Sequence, residues 1–254
     1  MPFQHTATRS RPSPTPPVSL APLGRWGLLA LGLTLWWDGA GADLAVMQAI
    51  GGPNGFALRD QWLLSQLLHE GVRQVAVLFY LLLWAWAAWP VRWQVGPAAT
   101  WSLPRHERLS VVVLVTLSLL AVRLIKHHSQ TSCPWELQAF GGAARHVSHW
   151  ALGQSDGGSG RCFPGGHASS AFAFLALCLP WLQPPAGRAR ARATGWRWLG
   201  AVVIAGAVAG AVQTLRGAHY PSHTLWTLLI CGAISWGGWA VAVRLFPTPS
   251  TPPF

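Results

Sequence analysis

Three short segments of the chain carry side chains able to handle phosphate. One holds Lys126, the only lysine. The second, Cys162-Phe163-Pro164-Gly165-Gly166-His167, sets a histidine behind two glycines. The third, Arg216-Gly217-Ala218-His219-Tyr220-Pro221-Ser222-His223, carries a guanidinium and two more imidazoles. Lysine and arginine hold phosphate oxygens as fixed cations. Gly165 and Gly166 let backbone N–H groups approach an anion at a helix start. One neutral imidazole can attack phosphorus while a second, protonated one donates to the leaving oxygen. The chemistry these residue types serve is phosphoryl transfer.

Bringing these segments together requires a scaffold, and the composition indicates which kind. Of 254 residues, 51% are hydrophobic, 10% are charged and 17 are Trp. Ordinary soluble domains carry about 25% charged residues. A soluble enzyme, a disordered chain and a nucleic-acid-binding tail are all disfavoured, and a polytopic membrane protein is expected. The formal charge of +11 then reads as arginines marking cytoplasmic loops plus a small phosphate-binding set, with no nucleic acid partner.

Six apolar stretches are expected to span the bilayer, giving an all-α membrane protein with both termini cytoplasmic. They run near 26–37, 72–89, 109–125, 167–184, 198–215 and 223–246. Residues 1–23 read as a disordered cytoplasmic arm, 24–246 as the membrane domain and 247–254 as a Pro-rich tail. Arg188-x-Arg190-x-Arg192 is the sharpest inside marker. Gly51-Gly52-Pro53-Asn54-Gly55 predicts a turn. Residues 61–68 predict an amphipathic interfacial helix, and 153–160 a flexible loop. In this topology the three phosphate-handling segments share the outer face. Trp84, Trp86 and Trp89 read as interfacial belt.

Together the three segments resemble the motifs of the type 2 phosphatidic acid phosphatase superfamily, whose pattern is K-x6-R-P, P-S-G-H and S-R-x5-H-x3-D. The corresponding residues here are Lys126-x6-Cys133-Pro134, Pro164-Gly165-Gly166-His167 and Val212-Gln213-x5-His219-x3-His223. The resemblance covers roughly 24–246. It implies a membrane lipid phosphatase that needs no metal or other cofactor. His219 would be the nucleophile forming a phosphohistidine, His167 the general acid, and Lys126, Arg216, Gly165 and Gly166 the phosphate-binding set. The substrate would be a lipid phosphomonoester or pyrophosphate, reached in the bilayer of a bacterial inner membrane with the site facing the periplasm. A phosphotransferase and a non-catalytic lipid-binding protein of the same fold are the alternatives; oligomeric state is not indicated.

The departures from the pattern are specific. Cys133 and Gln213 stand where the family has arginines, Arg216 lies three residues after Gln213, and Gly165 replaces Ser. His223 stands where the family has the Asp that orients the nucleophile, and no acidic residue follows Asp156. A carboxylate from Asp38, Asp43, Asp60, Glu70, Glu136 or Asp156, a backbone carbonyl, or neutral His223 would have to orient His219. Arg216 to His223 also looks like the R-G-A-H-F-x-S-H of some bacterial relatives, which makes His223 a subgroup feature.

Metal chemistry is the minor reading. His219-x3-His223 has ligand spacing, and His127, His128, His146 and His149 could add ligands, but Pro221 disfavours a regular helix between the first two. No C-x-x-C-H haem signature is present. Cys178 and Cys231 fall in apolar stretches. Cys133 and Cys162 both lie on the outer side, where disulfides persist, and a bridge between them is expected to tie the first motif to the second.

Overall fold

The computed structural model describes residues 21–90, 103–184 and 191–246. The predicted arm up to residue 20, the tail 247–254 and the topology markers Arg92, Arg188 and Arg190 lie outside these residues. The described chain is mostly helical. It runs α1 (Ala21–Gly39), α2 (Ala42–Ile50), the two-residue strands β1 (Gly51–Gly52) and β2 (Gly55–Phe56), and a π-helical segment (Leu63–Gly71). Next come α3 (Val72–Ala88), α4 (Arg105–His128), α5 (Gly166–Phe172), α6 (Leu179–Leu182), α7 (Arg192–Leu215) and α8 (Pro221–Leu245).

Among the described residues, four helices are long and apolar enough to cross a membrane: Leu63–Ala88, Arg105–His128, Arg192–Leu215 and Pro221–Leu245. The protein is an integral membrane protein. Gly166–Leu182 is a shorter apolar helical stretch, and α1 adds 19 residues. Trp26, Leu28, Leu33 and Trp36 of α1 are exposed, as suits side chains that face hydrocarbon.

The amphipathic segment expected at 61–68 is not a separate helix. It enters α3 directly, making one continuous helix from Leu63 to Ala88. Gly71 at the junction has helical dihedrals, φ −60° and ψ −47°, so it does not break the run. Pro90 and Pro104 flank the gap before α4, where proline disfavours helix on its N-terminal side. Arg108 ties the two helices there: its guanidinium donates to the carbonyls of Trp86 and Trp89 at the end of α3, satisfying carbonyls a helix end leaves unpaired.

The main core lies between α4, α5, α7 and α8, with Val111, Val112, Val115, Phe172, Cys231 and Trp239 buried. A Cβ at Gly206 would stand 2.2 Å from the Phe172 ring, so only glycine lets α7 lie this close to α5. A second, smaller core of Met47, Phe56, Leu137, Phe140, Ala144 and Tyr220 anchors the 129–165 segment against the β1–β2 hairpin. That hairpin forms at the predicted Gly-rich turn. The C-terminal end of α4, the start of α5 and the α7–α8 turn meet beneath this second core.

Candidate active site

Lys126 comes from the last turn of α4, where a cation complements the helix dipole. Its stem passes over the start of α5, since a Cβ at Gly166 would lie 3.5 Å from Lys126 Cδ. His167 is the second residue of α5. His219 sits in the turn between α7 and α8, which Gly217 reverses with φ +74°. The rings of His167 and His219 are 6.2 Å apart between centroids. The Lys126 charge acts on His167 and His219, and the Arg216 charge acts on His167. The structure therefore gathers Lys126, His167, Arg216 and His219 at one end of the bundle.

Arg216 is buried and held. Its Nε donates to the Arg59 carbonyl at 2.8 Å, and Nη1 donates to Gln213 Oε1 at 3.4 Å. Gln213, standing in the place of the motif arginine, thus steadies the guanidinium one helical turn later. Gly165 has a different role from the one expected. Its N–H donates to the His223 carbonyl at 3.1 Å, so that amide is committed to joining α5 to α8. The room is limited: a Cβ at Gly165 would be 3.3 Å from the same oxygen.

Cys133 and Cys162 form a disulfide, with Cα atoms 5.2 Å apart. Cys162 is the hub of the histidine set. Its carbonyl accepts from His223 Nδ1 at 3.0 Å, and its Sγ lies 3.3 Å from His219 Nδ1. A disulfide sulfur carries no proton, so it can only accept, and Nδ1 is the protonated nitrogen of His219. Nε2 then keeps its lone pair. Burial holds His219 well below the usual histidine range, with the Lys126 charge adding to the shift and the Cys162 backbone acting against it. The ring is neutral, as a nucleophile requires.

Five of the six carboxylates that could have oriented His219 are engaged elsewhere, and the sixth, Asp60, is exposed, its charge acting on Arg216. Asp156 accepts from the backbone and hydroxyl of Ser132, and Glu136 from the Cys133 N–H and Ser159. Asp43 caps the start of α8 through Ser222. Asp38 accepts from His149, Trp150 and Trp226. Glu70 pairs with Arg73. His223 is fully buried, its ring 5.8 Å from that of His219; the two imidazoles share Cys162 and are not bonded to each other.

His69 belongs to the site and was missed by motif reasoning. It projects from the π-helical segment onto His167, with ring centroids 3.9 Å apart. The charges of Arg216 and Arg73 act on it. Only the i,i+4 spacing of His69 and Arg73 on the amphipathic segment hints at this. Among the described residues, one group has metal-ligand proximity, Cys133, Cys162 and His219. Its two sulfurs are joined to each other and offer no thiolate.

The family model described as PAP2 superfamily matches residues 107–247, more than half of the chain. No curated protein and no solved structure matches.

Proposed function

The chain belongs to the PAP2 superfamily, and from that membership, which points to phosphatase activity on phosphate esters, we propose a metal-independent membrane phosphatase acting on a lipid phosphomonoester or pyrophosphate. His219 Nε2 attacks phosphorus, and the bond to the leaving oxygen breaks as His167, entering the step as an imidazolium paired with the bound phosphate, donates its proton to that oxygen and becomes neutral. Water then attacks the phosphohistidine as neutral His167 takes its proton, which breaks the N–P bond, releases inorganic phosphate and restores neutral His219 and protonated His167. Lys126 and Arg216 stabilise the equatorial oxygens through both steps. The bilayer supplies the substrate, at the outer face of what we take to be a bacterial inner membrane.

The observation that carries this reading is the pairing of two imidazoles 6.2 Å apart, one of them neutral and oriented, beside two buried-stem cations. The same phosphohistidine can pass its phosphoryl group to a lipid hydroxyl, which would make the protein a transferase.

Detergent-purified protein should release phosphate from lipid phosphates and, on acid-free quenching, carry a covalent phosphoryl group. Both should vanish in His219→Ala. A phosphoryl group that forms but leaves only when a lipid alcohol is added identifies the transferase. Neither release nor labelling on any lipid phosphate identifies a non-catalytic lipid-binding protein.

A further inference from the structure

A cavity adjoins His223. Its volume is about 160 Å³, and Asp38, Asp43, His146, His149, Tyr220 and His223 are among its walls. Two polar atoms in these walls are buried and without a partner: Asp38 Oδ1 and His223 Nε2. The side chains that carry them are nine-tenths or more buried.

Both atoms are acceptors. Asp38 Oδ2 is saturated by Trp226 Nε1 at 2.8 Å, Trp150 Nε1 at 3.1 Å and His149 Nε2 at 3.2 Å, which leaves Oδ1 to accept alone. His223 Nδ1 donates to the Cys162 carbonyl, so its Nε2 holds a lone pair. A buried acceptor without a donor is costly, and the two residues that carry these acceptors line one cavity, which suits a ligand with at least two N–H or O–H donors. The charge specifies more. Asp38 and Asp43 are carboxylates, no lysine or arginine is among the lining residues, and burial lowers the His149 pKa, against the pull of Asp38 and Asp43. The cavity is net negative, with the Tyr220 ring beside it to face a cation. Asp38 also sits in the last turn of α1, where the helix dipole disfavours a carboxylate; helix stability does not account for it. Among the described residues, no three of the cavity's carboxylate and imidazole ligand atoms lie close enough together to hold a metal ion.

We propose that this cavity binds a primary ammonium group on a short alkyl stem, as in an amino-alcohol headgroup. The ammonium donates to Asp38 Oδ1 and His223 Nε2. The cavity borders the histidine set only through His223, and binding there does not depend on turnover, so it stands or falls apart from the phosphatase reading.

The test is a ligand-observed NMR titration of the full chain in detergent with ethanolamine, and with ethylene glycol as its uncharged counterpart. Ethanolamine should bind at least tenfold tighter than ethylene glycol, and His219→Ala should bind it unchanged. Asp38→Asn should weaken binding at least tenfold. Leu44→Trp, which fills the cavity from its wall and leaves the Asp38 hydrogen bonds in place, should do the same and covers the case in which Asp38→Asn fails to fold. The proposal is overturned if ethanolamine does not bind, if ethylene glycol binds equally well, or if Leu44→Trp binds undiminished. Displacement of ethanolamine by stoichiometric zinc would overturn it in favour of a metal site.

Discussion

Nδ1 of His219 lies 3.3 Å from Sγ of Cys162, and that sulfur is half of a disulfide. An acceptor without charge thus occupies the place where the family motif supplies a carboxylate. Sulfur accepts weakly, so it fixes the tautomer and ring direction while doing little to stabilise an imidazolium. With Nδ1 still protonated, bonding Nε2 to phosphorus leaves the ring formally cationic, so the sulfur fixes the nucleophile's geometry while the charge of the phosphoimidazolium is balanced by the phosphoryl oxygens it carries.

The bridge should matter both to stability and to turnover. It closes a loop between residues 29 apart in sequence, for which chain entropy predicts about 3 to 4 kcal/mol of stabilisation. Cys133→Ser should lower the unfolding midpoint accordingly. It should also cut kcat by about tenfold, the scale of one lost hydrogen bond, because Cys162 is then free to move from the imidazole. Thermal unfolding and phosphate release with and without a reductant measure both effects. A full kcat in the reduced protein would show that the sulfur does not orient His219.

His167 should reveal its role through the leaving group. His167→Asn should reduce hydrolysis of alkyl phosphates by about 10²- to 10⁴-fold, and that of a nitrophenyl phosphate much less, since nitrophenolate departs without a proton. Equal losses on both substrates would make His167 a phosphate ligand and not an acid.

Arg216 is held by Gln213 and the Arg59 carbonyl. A lysine offers no planar fork to meet both partners. Arg216→Lys should therefore lower kcat/KM despite keeping the charge, by about 10²-fold if the guanidinium faces the transition state. Gln213→Leu should show part of the same loss, read as a change in kcat/KM with the fold intact by circular dichroism.

The His69 ring lies against that of His167, tilted by 38°. Such ring pairs contribute about 0.5–1.5 kcal/mol. His69→Phe should keep the ring contact and His69→Ala should lose it. If packing is its contribution, the Phe variant retains activity and the Ala variant loses several-fold; if the imidazole touches phosphate, both raise KM.

Acid should act in a defined direction. The folded-state pKa of His219 is lowered from about 6.5, so the folded protein binds fewer protons than the unfolded chain. Its contribution to stability is complete above that ordinary value and is lost as pH falls below it toward the folded-state pKa. The melting temperature should drop on acidification below about pH 6.5, less steeply in His219→Gln. The acid limb of kcat/KM should lie below the ordinary histidine range.

Much of this protein is legible along the chain. The scarcity of charge imposes a membrane scaffold, because apolar helices of this length find no other solvent. Lys126, His167 and His219 each lie at or beside a helix end, a local property legible in the sequence, and helix packing then brings those ends together. The local glycine and proline pattern marks the β1–β2 turn and the start of α8. Those are properties of short segments, and short-range physics governs them. What the tertiary structure decides are the partners. No spacing rule foretells that Cys162 serves both His219 and His223, that Gln213 holds Arg216, that His69 from before the matched region covers His167, or that residues 61–68 fuse into α3. Each is a contact between segments distant in sequence, and such contacts depend on how helices pack and on where burial forces a polar atom to find a partner. The missing carboxylate, conspicuous in the sequence, is answered only in three dimensions, by a sulfur.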